Sequence, residues 1–397
     1  MKKSISTDSE KIEEILTRGV SEVVDKENLK KRLLSGKRLR IKLGIDPTSP
    51  DLHIGRAVLL LKLRDFQELG HEIVLIVGDV TGVIGDTSDK ESERPLLTQK
   101  EVKENAKTYF KQAGKVLDMS LVEKHFNSEW LSKLSYNEIG GHADQFSVAD
   151  FIARDNIKKR LDTGKRVSLR EMLYPLMQGY DSVAIKADVE LGGNDQWFNL
   201  LAGRKLQARF NQEPQDILTT NLILGTDGRK MSSSWGNTIN LTDTPEDMYG
   251  KVMSIPDELI ISYFIHCTRV TNEHIKEVED SMKGGSNPRD TKMELAREIT
   301  TLYYGEKVAQ KAEEVFVKTF QKGDMSDSPA VSVESGTLLK DVLIKEEIVS
   351  SGNEFVRLVE SGSISIVGVG KVESPKEVVS NDTYKIGKRR SLTIQIK

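Results

Sequence analysis

Two apolar runs flanking an amphipathic stretch constrain this chain most. Ile41, Leu43 and Ile45 alternate with other residues and run into Asp46-Pro47-Thr48-Ser49-Pro50, the pattern of a strand ending in a stiff turn. Ala57, Leu60, Leu61, Leu63 and Phe66 then repeat with helical spacing, and Gly70 is the residue type that commonly ends a helix. Ile73 to Val77 is a continuous apolar run closed by Gly78, as a strand buried on both faces requires. Strand, helix, strand predicts a βαβ unit. A second unit is predicted with Ser182 to Val189 as its strand, Gly192-Gly193-Asn194-Asp195-Gln196 as its turn, and a helix from Trp197 to about Arg209. Between the two units the chain reads as largely helical. The expected class is therefore α/β: an open, Rossmann-like parallel sheet with a helical insertion, its ligands gathering beyond the carboxyl ends of the strands.

From about Thr242 to Lys322 the spacing is again helical, as in Leu259, Ile260, Tyr263 and Phe264, and Thr244-Pro245-Glu246-Asp247 has the composition of a helix start. Residues 323–329 have linker composition. Beyond them, Ser351 with Glu354 predicts a capping box for a short helix ending at Gly362, and Ile364, Ile366, Leu392, Ile394 and Ile396 alternate as strands. At 397 residues the chain is long enough for two or three domains. The expected division is 1–225, a catalytic domain with its insertion near 105–180; 226–325, a mobile loop and a helical domain; and 335–397, a small α+β domain.

Composition narrows the class only a little. Apolar residues are 37% and charged residues 30%, and no apolar run approaches membrane-spanning length, so a globular protein without a membrane partner is expected. The N-terminal MKKSISTDSEKIEEIL turns polar and acidic where a secretory signal would be apolar, which makes the cytoplasm the expected location. One cysteine, Cys267, leaves no partner for an intrachain disulfide, and the six histidines are not ligand-spaced, so no tightly bound metal is expected. A net charge of −3 argues against a uniformly basic nucleic-acid coat but leaves room for a local basic face.

Two strings carry the candidate chemistry. His53-Ile54-Gly55-Arg56 stands where the turn after the first strand becomes a helix, so backbone N–H groups and the positive helix end face the crevice. His53 can donate to a phosphoryl oxygen, Gly55 lets a nucleotide approach the backbone, and Arg56 offers a charged fork. Taken alone, such a string is more often a surface histidine beside a helix-starting glycine. Asp227-Gly228-Arg229-Lys230-Met231-Ser232-Ser233-Ser234 is a turn followed by a lysine and three hydroxyls, able to bring a cation and several donors onto a pyrophosphate; taken alone, it is a polar surface loop.

In this order the two strings resemble the paired His-Ile-Gly-His and Lys-Met-Ser-Lys-Ser signatures of class I aminoacyl-tRNA synthetases. Lys42-Leu43-Gly44-Ile45-Asp46-Pro47-Thr48, Thr81-Gly82-Val83-Ile84-Gly85-Asp86, Tyr174-Pro175-Leu176-Met177-Gln178-Gly179-Tyr180-Asp181 and Gly192-Gly193-Asn194-Asp195-Gln196-Trp197 narrow the resemblance to the bacterial-type tyrosyl-tRNA synthetase family, over essentially the whole chain. That resemblance implies ATP with Mg2+ as the substrate complex, L-tyrosine and tRNA(Tyr) as partners, and a homodimer formed through the helical insertion.

It also implies roles for residues. His53, Arg56, Lys230 and Ser233 would act on the reacting phosphates, and Gly55, Gly193, Asp195, Met231 and Ser232 would complete the ATP site. Gly44, Asp46, Asp86, Tyr174, Gln178 and Gln196 would surround the amino acid, with Asp181 accepting from the phenol. Arg56 replaces the second histidine of the first signature, and Ser233 replaces the second lysine of the other. Serine cannot supply a charge, so Lys230, Arg229 or a bound cation would carry more of the pyrophosphate. Thr87-Ser88-Asp89 also departs from the Pro-Ser-Gly common after Asp86.

The tail from about Thr337 resembles the small RNA-binding domain that ends these enzymes, with Arg357, Lys388, Arg389 and Arg390 as candidate phosphate contacts. Asn156-Ile157-Lys158-Lys159-Arg160 reads equally as an acceptor-stem contact or a solvated helix face. Three alternatives accompany the main expectation: a tryptophanyl-tRNA synthetase, an RNA-binding paralogue that activates nothing, and a nucleotidyltransferase acting on a cofactor precursor.

Overall fold

The computed structural model describes residues 4–86, 97–321, 329–367, 369–387 and 390–397, with the side chains of residues 320 and 321 left aside. The departure at Thr87-Ser88-Asp89 and the linker expected from Gly323 to Ser328 lie outside the described residues. Contacts divide the chain into two units: Met1–Asp243 with Lys251–Gly305, and Thr244–Gly250 with Glu306–Lys397.

The first unit is built on six strands, β1 (Val20–Val24), β2 (Arg40–Ile45), β3 (Glu72–Val77), β4 (Val122–Phe126), β5 (Val189–Gly193) and β6 (Asp216–Thr220). They lie side by side in the order β1-β6-β5-β2-β3-β4. β2 to β6 run parallel, and β1 closes one edge antiparallel to β6. From β2 the chain fills one side of the sheet through β3 and β4, then crosses to the other side through β5 and β6. The order therefore reverses between β2 and β5, and a crevice opens beyond their carboxyl ends.

Sequence explains the centre of this sheet. Ile41, Leu43 and Ile73 to Val77 are all buried, as a strand covered on both faces requires. The helix Ile54–Glu68 covers one face with Ala57, Leu60, Leu63 and Phe66, each fully buried. Burying a side chain such as Leu60 stabilises the fold by about 1.5–3 kcal/mol. Gly70 ends this segment at φ +93°, where an added Cβ would also press on Ser4 O, so only glycine fits.

Two sequence expectations are corrected. Ser182 to Ile185 are the last turn of the helix Leu169–Ile185, and the strand begins at Val189 and includes Gly192 and Gly193. A reciprocal cap between Ser168 and Glu171 starts that helix, and Tyr174, Leu176, Val183 and Ile185 are buried on it, so helical packing overrides the apolar run. Within the largely helical insertion, Val122–Phe126 forms β4, pairing in parallel with β3. Its Val-Glu-Lys-His-Phe sequence is too polar to announce an edge strand, and the partner strand decides its state. The helices Ile260–Cys267, Asn272–Lys283 and Pro288–Tyr304 also belong to this unit.

The second unit carries the helix Glu306–Gln321 and a small sheet of β7 (Ala330–Val333), β8 (Ile364–Ile366), β9 (Gly370–Lys371), β10 (Thr383–Ile386) and β11 (Arg390–Ile396), in the order β7-β11-β10-β8-β9. The helices Leu339–Lys345 and Gly352–Glu360 share its core of Leu339, Leu343, Phe355, Ile364, Tyr384 and Ile386. Ser351 Oγ accepts from the Glu354 N–H, but the Glu354 carboxylate reaches back to the Ser350 N–H at 2.7 Å, so half of the expected capping box forms. The helix stops at Glu360, and Gly362 follows at φ +62°. Among the described residues, no helix is long and apolar enough to cross a membrane.

Candidate active site

A cavity of about 930 Å³ opens beyond the carboxyl ends of β2 and β5, the place the strand order marks. Both strings reach it. His53 is the residue before the first turn of the helix Ile54–Glu68, and the Ile54 N–H donates to Ile239 O at 2.8 Å while the Leu241 N–H donates to Leu52 O at 2.8 Å. The segment following the second string is thus stitched to the first. The second string folds as a small hairpin in which the Met231 N–H donates to Ile223 O at 3.0 Å, with Gly228 in its turn at φ +79°. A Cβ added to Gly55 would lie 3.1 Å from His53 Nδ1 and 3.4 Å from Met231 Sδ. Glycine is what lets imidazole and thioether converge on the helix start.

At this end the charges are arranged for an anion. Burial lowers the His53 pKa to about 3, and the Arg56 and Lys230 charges push in the same direction, so the ring is neutral; its Nδ1 has no hydrogen-bond partner. Lys230 Nζ lies 3.1 Å from Asp195 Oδ2, and Gly193, with no room for a Cβ beside Asp195 Oδ1, forms the floor. Arg56 lines the cavity, but its guanidinium donates to Asp46 O and Thr48 Oγ1, both at 2.9 Å, tying off the turn after β2. Ser233 Oγ reaches Ser49 Oγ on that same turn at 3.3 Å, and Ser232 Oγ lies 2.9 Å from Ser234 Oγ. Arg229 pairs with Asp227 and covers the Trp235 ring at 4.8 Å.

The other end is lined by carboxylates. Asp46 Oδ1 accepts from Thr81 Oγ1 at 2.6 Å, and Asp46 Oδ2 accepts from Tyr174 OH at 2.8 Å. Burial raises the Asp46 pKa to about 6 against these two hydrogen bonds, with the Asp86 charge adding to the rise and Arg56 opposing it. Asp86 accepts from Gln196 Nε2 at 2.6 Å. Gly44 lies on the wall, and a Cβ at Gly78 would collide with Asp46 Oδ1 and Thr81 Oγ1. Deeper in, Asp181 accepts from Trp130 Nε1 at 2.7 Å and from Asn127 Nδ2 at 3.4 Å, and burial raises its pKa to about 7. Asn127 Nδ2 also donates to Thr81 Oγ1 at 3.0 Å. One buried chain, Asp46–Thr81–Asn127–Asp181, therefore joins the two acids.

Every residue expected around the nucleotide and the amino acid lines this cavity: Gly44, Asp46, His53, Gly55, Arg56, Asp86, Tyr174, Gln178, Asp181, Gly193, Asp195, Gln196, Lys230, Met231, Ser232 and Ser233. Asn127 and Trp130 escaped the sequence reading because they lie in the insertion, far along the chain from the acid they serve. The tryptophan itself was the one available signal. Among the residues expected to meet RNA, Arg357 is exposed on its helix, Arg390 donates to Ile348 O and lies 3.5 Å from Glu354, and Lys388 and Arg389 lie outside the described residues. No group of three or more His, Cys, Asp or Glu side chains that could hold a metal ion occurs among the described residues.

Comparison with known proteins agrees with this geometry. A family model of class I tRNA synthetases (W and Y) matches residues 34–321. The chain is 48% identical to the tyrosine–tRNA ligase of Thermotoga maritima, covering 95% of each chain, and 45% identical to that of Carboxydothermus hydrogenoformans, covering 96% of this chain and 97% of the relative. Among solved structures, the Archaeoglobus fulgidus tyrosyl-tRNA synthetase complexed with L-tyrosine superposes with a TM-score of 0.60 at 25% identity, covering 77% of this chain and 99% of that one. A mitochondrial tyrosyl-tRNA synthetase from Aspergillus nidulans shares the fold with a TM-score of 0.65 at 21% identity, covering 78% and 94%. With both signatures converging on one cavity and a family match across most of its length, the chain belongs to the class I tRNA synthetases of the tryptophan and tyrosine type.

Proposed function

We propose that this chain activates L-tyrosine with ATP and transfers it to tRNA(Tyr), and that the cavity beyond β2 and β5 is where activation occurs. The observation that carries the reading is that Gly55 brings His53 and Met231 together at one end of a cavity whose other end holds Asp46 and Asp181. The relatives described above are tyrosine ligases, which leaves the tryptophan enzyme, the non-activating paralogue and the nucleotidyltransferase unfavoured.

In this reading Asp46, Asp86, Tyr174, Gln178 and Gln196 receive the ammonium and main-chain end of tyrosine, and Asp181 accepts from the phenol. The tyrosine carboxylate attacks the α-phosphorus of ATP and pyrophosphate leaves with its Mg2+, giving tyrosyl-adenylate. The nucleophile is already ionised, so no general base is required, and positioning with charge stabilisation lowers the barrier. His53 and Lys230 act on the phosphates, while Arg56 shapes the turn that carries Asp46. A terminal hydroxyl of the tRNA then attacks the adenylate carbonyl and AMP leaves. Arg357, Lys388, Arg389 and Arg390 are proposed to meet RNA phosphates. Tyr136, Leu169 and Val148 on the insertion are 92%, 85% and 74% exposed, and such bare apolar side chains support a homodimer through this surface. A cytoplasmic location is part of this proposal.

Tyrosine-dependent exchange of pyrophosphate into ATP tests the proposal. Asp181→Asn is expected to lower the preference for tyrosine over phenylalanine by about 10- to 100-fold, the worth of one charged hydrogen bond of roughly 1.5–3 kcal/mol. Exchange driven by tryptophan and not by tyrosine would overturn it.

A further inference from the structure

Leu43 and Gly44 of β2 line the cavity, but Lys42, one residue earlier, does not. Its side chain is 0% exposed. A buried ammonium is tolerated only when paired and hydrogen-bonded, and all three of its protons are used. Lys42 Nζ lies 2.8 Å from Glu190 Oε1 and donates to Ser182 Oγ at 2.7 Å and to Gln178 O at 2.8 Å. Glu190, itself 1% exposed, also accepts from Gln178 Nε2 at 3.2 Å, from Ser182 Oγ at 3.1 Å and from Gln215 Nε2. Gln178 precedes Asp181 by three positions and Ser182 follows it directly, so the ion pair grips the helical turn that presents Asp181.

Exchanging so deep a pair for apolar residues of similar volume is often neutral or stabilising, which gives packing alone no reason to keep it. We infer that Lys42, held by Glu190, is a positioning residue for tyrosine selection: it fixes the turn from Gln178 to Ser182 and sets a positive charge behind Asp181, so that the phenol meets an ionised acceptor. The inference rests on the reading of Asp181 as the acceptor of the phenol. Burial acts most strongly on Asp181 and raises its pKa, with Glu190 adding to the rise; against it, Lys42 favours the ionised form most strongly, ahead of the Trp130 and Asn127 hydrogen bonds.

The test uses the full chain as Lys42→Met, as Lys42→Met with Glu190→Gln, and as Asp181→Asn. It follows tyrosine-dependent pyrophosphate exchange against pH, with tyrosine and ATP varied separately. Lys42→Met is expected to raise KM for tyrosine by about tenfold or more at neutral pH while KM for ATP holds. The acidic limb of kcat/KM for tyrosine moves to higher pH, so alkaline buffer recovers part of the loss. The double variant removes the opposing charge as well, and is expected to fold even if the single variant does not. Its limb moves the same way by less, because Lys42 outweighs Glu190. A limb left in place in whichever variants fold would overturn the inference. If Asp181→Asn keeps its preference for tyrosine over phenylalanine, the assignment of Asp181 fails instead; if it loses that preference while the limb stays fixed, only the role of Lys42 fails.

Discussion

Asp46 and Asp181 are acids that burial holds near neutrality, with pKa values raised to about 6 and about 7. Both are needed as carboxylates in the proposed chemistry, so kcat/KM for tyrosine is expected to fall as pH drops through that interval, while kcat/KM for ATP changes less. Stability runs the opposite way. A carboxyl whose folded pKa exceeds its unfolded value of about 3.9 stabilises the fold while protonated, and that contribution is lost as pH rises through the folded pKa. Buried neutral His53 contributes in the opposite sense over the same range, so the comparison is between variants: relative to Asp181→Asn, the tyrosine-free chain is expected to lose melting temperature as pH rises from about 4 to about 7. Parallel melting profiles for the two proteins across that range would contradict the burial of Asp181.

Among elements, the hairpin carrying Lys230 and the helix that begins at Ile54 set the phosphate end. Lys230→Ala is expected to slow exchange by about 10- to 100-fold in kcat, the loss of roughly one charged hydrogen bond, with little change in KM for tyrosine. Ser233→Lys is expected to be neutral or faster, since it adds a cation beside the turn at Ser49; single-turnover formation of tyrosyl-adenylate measures both. This much was legible in the sequence, because a strand, a stiff turn and a glycine-bearing helix start are local patterns. β4 was not, since its polar residues form a strand only by pairing with β3. The strand placed over Ser182 to Val189 failed for a related reason: an apolar run of that length suits a buried helix equally well, and the cap at Ser168 decides. The hydrogen-bonded chain through Thr81 and Asn127 joins residues far apart in sequence, which no local pattern could announce.

For the molecule as a whole, the separation of activation from RNA recognition is testable in the intact chain. Arg357→Glu is expected to weaken tRNA charging several-fold, more at low salt than at high, and to leave pyrophosphate exchange unchanged. Tyr136→Glu with Leu169→Glu is expected to shift the sedimenting mass toward a monomer if the bare apolar face of the insertion is a dimer contact. Connectivity adds something that neither experiment measures. The backbone enters the second unit at Thr244, leaves it after Gly250, and returns at Glu306, so the two bodies are threaded through one another's sequence. A protease cutting after Gly305 would leave residues of the larger fragment seated among those of the smaller. A cut at that one point therefore cannot deliver two clean halves, and protein nicked there should run as one particle until it is denatured.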